Sequence, residues 1–109
     1  MLINFPGMEE TVKENIGDSG KNGRMRTYED DMIKTVLIKL EPGAIIPDHK
    51  HETNCDLYYV VEGKGKAYVD GVEENLQPGF CHYCPKGSSH GVNNDSGSEL
   101  VLFALVPKF

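Results

Sequence analysis

Tryptophan is absent from this chain of 109 residues, and no apolar run approaches the roughly 18 residues that a membrane-spanning helix needs. Basic residues are scarce too. Lysine and arginine number 11 against 17 aspartates and glutamates, a net charge of −6. Phosphate binding needs a face rich in Lys and Arg, so the charge argues against nucleic acid as a partner. The opening "MLINFPGMEE" lacks a basic stretch followed by an apolar one, so no secretory signal is expected and the chain reads as cytoplasmic. Cys55, Cys81 and Cys84 are an odd number in such a chain, which argues against a disulfide framework. "CHYC" has the spacing of redox and zinc motifs, but a zinc ribbon needs a second pair and a thioredoxin-type site needs a βαβ context. On a strand, Cys81 and Cys84 point to opposite faces.

What the chain does have is turns and short β segments. Glycine and proline number 12 and 6. Residues 1–24 read as an irregular arm with a helical turn or two before Gly17, ahead of a β domain over residues 25–109. "RMRTYE", "MIKTVLIKLEPG", "CDLYYVVEG" and "ELVLFALVP" read as strands, rich in β-branched and aromatic residues and bounded by Gly or Pro. Asp70-Gly71 supplies the positive-φ pair of a tight hairpin between Lys66–Val69 and Val72–Leu76. Seven or eight strands with frequent turn signals predict an all-β barrel or sandwich.

Four histidines occur: His49, His51, His82 and His90. On a strand, His49 and His51 would face the same side about 6.6–7 Å apart. Two imidazoles so placed can converge on one ion at about 2.0–2.1 Å. Asp56 can add an oxygen ligand by returning on a neighbouring strand, and His90 would have to arrive from a distant one. Histidine pairs of this kind also occur on surfaces without binding anything, so the pair alone leaves both readings open.

The surroundings extend the pattern. From Gly43 the chain runs five residues to His49-x-His51, four to Asp56 and six to Gly63. From Gly79 it runs five residues to Pro85-x-Gly87, two to His90 and three to Asn94. These stretches resemble the two signature motifs of the cupin superfamily, and nine of ten fixed positions match. The 15 residues between Gly63 and Gly79 resemble the short intermotif spacing of small single-domain cupins. The resemblance implies a double-stranded β-helix, a jelly-roll barrel. It implies that His49, His51 and His90 stand at the family's metal-binding histidines, and that Asp56 stands where the family has a glutamate. Aspartate is one methylene shorter, so Asp56 would ligate directly or through a water.

The resemblance further implies one divalent transition metal, Mn, Fe, Ni, Co or Zn, with open coordination positions for a small-molecule ligand. Dioxygenation or decarboxylation of a small polar metabolite such as an oxyacid is the leading expectation. Sugar or sugar-phosphate isomerisation and non-catalytic binding of a sugar or effector stand beside it, because a fold names no reaction. Small cupins often pair, so a homodimer is expected, with "ELVLFALVP" or the N-terminal arm as the contact.

Three further positions carry open readings. His82 is a partner behind the ligands, a pocket residue or a solvent-facing strand residue. Tyr58 shares strand parity with Asp56 and is either a pocket hydroxyl or a packed tyrosine. Phe103 and Leu105 would form an apolar wall or part of the core.

Overall fold

The computed structural model describes all 109 residues. Ten strands form: β1 (Thr11–Lys13), β2 (Gly23–Glu29), β3 (Ile33–Leu40), β4 (Ile45–Lys50), β5 (Asp56–Glu62), β6 (Gly65–Val69), β7 (Val72–Leu76), β8 (Cys81–Cys84), β9 (Ser89–Asn93) and β10 (Leu100–Pro107). They build two antiparallel sheets. One has the order β1-β2-β3-β10-β5-β8, the other β4-β9-β6-β7. This is a double-stranded β-helix, the jelly-roll barrel that the two motifs lead one to expect. No helix is long and apolar enough to cross a membrane.

The period-2 pattern of each strand places the core. Ile38 and Leu40 of β3, Tyr58 and Val60 of β5, and Leu100, Leu102 and Ala104 of β10 are buried toward the second sheet. Ala67, Leu76 and Val92 meet them from the other side. The hairpin at Asp70-Gly71 has φ of 48° and 81°, the two positive values a two-residue hairpin turn requires.

Residues 1–24 contain 3-10 turns at Phe5–Gly7 and Ile16–Asp18, with β1 between them. Before Gly17 the arm thus holds a short strand beside such a turn, because β2 offers an unpaired edge that Thr11–Lys13 covers. Ile16 is 2% exposed and joins the core, so the arm is packed onto the barrel.

β9, "SHGVN", is the strand that carries His90. A Cβ at Gly91 would lie 2.9 Å from the Ile46 carbonyl oxygen, so glycine there marks close backbone approach inside a strand. β10 is central, hydrogen-bonded to β3 on one side and β5 on the other, and has no free edge for a second copy.

Candidate metal centre

His49 and His90 stand opposite each other in the β4–β9 ladder. His90 thus comes from the neighbouring strand, whereas Asp56 starts β5 in the opposite sheet, the reverse of the expected placement. A bulge between Ile46 and His49 inserts one extra residue in β4 relative to Val92 and His90. It resets the strand's parity, so Ile46 packs into the core and His49, three positions on, also faces inward. His51 lies just past the end of β4, held by backbone bonds to Ser88 and Gly87.

His90 Nε2 lies 3.1 Å from both His49 Nε2 and His51 Nε2, and 3.2 Å from Asp56 Oδ2. Asp56 Oδ2 is also 3.2 Å from His51 Nε2. Donor atoms of all four residues lie within 4.8 Å of one another. The shorter acid therefore reaches the cluster.

The tautomers follow from the other ring nitrogens. His49 Nδ1 is 3.0 Å from the Pro47 carbonyl, which only accepts, so Nδ1 carries the hydrogen. His51 Nδ1 donates to Asn54 Oδ1 at 2.8 Å. His82 Nδ1 donates to Glu74 Oε1 at 2.7 Å, which leaves its Nε2 to accept from His90 Nδ1 at 3.0 Å. In the neutral imidazoles all three facing Nε2 atoms then bear lone pairs. The 3.1 Å contacts between them hold no hydrogen, and the buried Asp56 Oδ1 has no hydrogen-bond partner at all. Three lone pairs and a carboxylate turned on one another are unfavourable when buried, even with the Tyr58 hydroxyl beside Asp56. A cation reverses that sign. Ligands at about 2.1 Å from one ion stand about 3.0–3.4 Å apart, which matches the observed contacts. The four residues fit a divalent metal.

Burial, the largest influence, lowers the His90 pKa against the pull of Asp56, and so favours the neutral imidazole that a metal needs. Tyr58 is 4% exposed, and burial first, then the Asp56 charge, raises its pKa well above the usual phenol value. Burial likewise pushes the Cys84 thiol up to about 11, so it is an unreactive core thiol. Cys81 is exposed and no disulfide forms.

A cavity of about 390 Å³ opens beside His49, His51 and Asp56. Val36, Ile38, Ala104 and Val106 form an apolar wall, Tyr58 lines the space, and Glu29, Lys34 and Lys108 stand at its rim. Phe103 and Leu105 do not contribute. They have the opposite parity to Leu102 and Ala104, and Phe103 packs edge-on against Phe5 at 6.0 Å on the outer face. His82 is 2% exposed and lies behind His90, away from this cavity. The sequence reading missed Lys34, Asn54, Glu74 and Lys108. For Lys34 a signal existed: Lys34, Val36, Ile38 and Leu40 share one face of β3, so the lysine closes an inward stripe.

The Cupin domain family model matches residues 36–106, and the chain belongs to the cupin family. It is 29% identical over 69 residues to an oxalate-binding protein of Thermotoga maritima, covering 63% of this chain and 57% of that protein. It is 34% identical over 65 residues to quercetin 2,3-dioxygenase of Bacillus subtilis, covering 60% of this chain and 19% of the enzyme. The chain thus aligns with only part of either relative. In three dimensions it is similar to a crystal structure of a "predicted oxalate decarboxylase" from Thermotoga maritima, with a TM-score of 0.89, 20% identity and 98% of both chains covered. That likeness concerns the fold.

Proposed function

We propose that this cupin holds one divalent transition metal through His49, His51, Asp56 and His90, and acts as a metal-dependent enzyme of the decarboxylase or dioxygenase type on a small organic acid. The observation that carries the reading is the convergence of four hydrogen-free donor atoms beside an open cavity. A bound Mn(II), Fe(II), Ni(II), Co(II) or Zn(II) supplies Lewis acidity and coordination positions for an oxyacid or for dioxygen. The protein supplies the rest. Pro47, Asn54 and His82 hold the three imidazoles with Nε2 inward. The apolar wall keeps water from the body of the acid. Lys108 is tied to Glu29 at 2.8 Å, whereas Lys34 joins no salt bridge and remains a cation for a carboxylate at the rim. The name of the oxalate-binding relative supports an acid anion as ligand.

A second reading, retention of the ligand without chemistry, has an observation of its own. Apart from Asp56, the one carboxylate lining the cavity is Glu29, and Lys108 occupies it. Two measurements separate the readings. Elemental analysis of untagged protein should find about one transition metal per chain, lost in His49→Ala/His51→Ala. Incubation with a panel of small mono- and dicarboxylic acids, with and without oxygen, should then yield product. Acids bound but recovered unchanged in mass would favour retention, and no metal as purified or after reconstitution would end the enzyme reading and leave retention in the barrel. Lys34→Gln should weaken acid binding about tenfold to a hundredfold, the range of a single lost charged hydrogen bond, while metal content stays the same.

We infer as well that two copies pair. The outer face of the six-stranded sheet presents Tyr59 and Tyr83, 47% and 52% exposed, beside half-buried Leu57, Phe103 and Leu105. This contiguous apolar face supports the pairing.

A further inference from the structure

His90 is the most enclosed of the four candidate ligands, at 0% exposure, and its outer ring nitrogen meets another histidine. The His82 and His90 rings are inclined by 8° with centroids 5.2 Å apart, and His82 Nε2 to His90 Nδ1 is 3.0 Å. This is an edge-to-edge hydrogen bond lying in the ring planes. His82 Nδ1 in turn meets Glu74 Oε1 at 2.7 Å. The three residues come from different strands: Glu74 from β7, His82 from β8 in the other sheet, and His90 from β9. The Glu74 side chain is 49% exposed, while those of His82 and His90 are fully buried. A depression of about 250 Å³, lined by Glu74, Phe80, Cys81 and His82, reaches this end of the row from outside. A hydrogen-bonded line therefore runs through the barrel wall from solvent to the donor cluster.

An imidazole presents one donor and one acceptor, so each member dictates the next. Glu74 can only accept, so His82 carries its hydrogen on Nδ1 and accepts at Nε2. His90 must then carry its hydrogen on Nδ1 and turn a lone pair into the cluster. Reversing the order would aim an N–H at the site and abolish ligation by His90. We propose that Glu74 and His82 are positioning residues that set the tautomer of His90 and thereby the affinity of the metal centre. The inference rests on the metal reading above. It adds that a carboxylate on the far side of the wall from the cavity controls a ligand it does not touch.

The test uses Glu74→Ala and Glu74→Gln, since Glu74 is half exposed on an edge strand and its loss leaves the core intact. Two readouts apply: the nitrogen-15 signature of His90 in the metal-free protein, and the dissociation constant for Co(II) from its visible absorption. Wild type is expected to show His90 protonated on Nδ1 alone. Glu74→Ala should show a mixture of tautomers and a Co(II) dissociation constant raised about tenfold, the scale on which outer partners act on a metal ligand. Glutamine keeps an accepting oxygen, so Glu74→Gln should restore both. Wild-type His90 protonated on Nε2, or Glu74→Ala with unchanged tautomer and affinity, would overturn the relay while the metal site stands. No Co(II) uptake by wild type would instead overturn the metal reading, and the relay's control of affinity with it.

Discussion

Asn54 Oδ1 takes the His51 Nδ1 hydrogen, which leaves His51 Nε2 as a lone pair facing His90 Nε2 and Asp56 Oδ2. The same asymmetry makes Asp56 costly to the empty barrel. Its Oδ1 is buried without a partner and its Oδ2 faces two imidazole nitrogens. Asp56→Asn replaces that charge with an amide that can donate to them. The metal-free variant is expected to be more stable than wild type, by about 1–3 kcal/mol in denaturant titrations. Its metal affinity should fall by more than about tenfold, the effect of losing even a supporting residue. A variant destabilised in the metal-free state would contradict the account of a proton-free cluster. His90 adds a pH dependence. Its pKa is lowered on folding, so below about 6.5 the unfolded chain binds a proton that the folded chain refuses. The stability of metal-free protein should be level from pH 8 to about 7 and decline as pH falls further. A denaturation midpoint that does not drop between pH 7 and 5.5 would refute this.

At the level of elements, the centre depends on β4 and β9 lying unusually close. A Cβ at Gly91 would meet the Ile46 carbonyl at 2.9 Å and the Asp48 nitrogen at 3.1 Å, both backbone atoms that cannot turn aside. Gly91→Ala should therefore cost about 1–3 kcal/mol and weaken metal binding, since the strained ladder carries both His49 and His90. Gly97, where a Cβ meets nothing within 4 Å, is the matching control, and Gly97→Ala should leave both properties unchanged. Equal effects at the two glycines would show that packing at Gly91 is not the cause. The β4 bulge explains why alternation alone misplaces these residues. Ile46 and His49 are an odd number apart, and regular pairing would turn one of them outward. By contrast β5 alternates without interruption from Asp56 to Val60, and there the inward set of Asp56, Tyr58 and Val60 is readable directly.

At the level of the whole molecule, the cavity and the apolar sheet face lie on opposite sides of the six-stranded sheet. Pairing over Tyr59 and Tyr83 would leave the cavity open. Light scattering on eluted protein should give about twice the chain mass for wild type and the single mass for Tyr59→Glu/Tyr83→Glu, with metal content unaltered. A monomeric wild type would dispose of the pairing. Bound metal stabilises only the folded state, so saturation at about 100 times the dissociation constant should add about 2.7 kcal/mol to the unfolding free energy. A chelator should remove that gain from wild type and leave His49→Ala/His51→Ala unaffected.

The sequence by itself determined an all-β chain with its turns, and the likeness of two of its motifs to those of cupins picked out the barrel and the four residues that cluster. Those features rest on period-2 alternation, turn residues and motif spacing, all local in the chain. Only the tertiary structure decided that His90 stands beside His49 while Asp56 faces them from the other sheet, because pairing order between distant strands leaves no mark on local pattern. It also decided that Lys34 serves the rim and that Glu74 stands behind His90 through His82. Each of these contacts joins residues whose roles depend on which sheet closes over which, and that is settled by burial of the whole core rather than by any one segment.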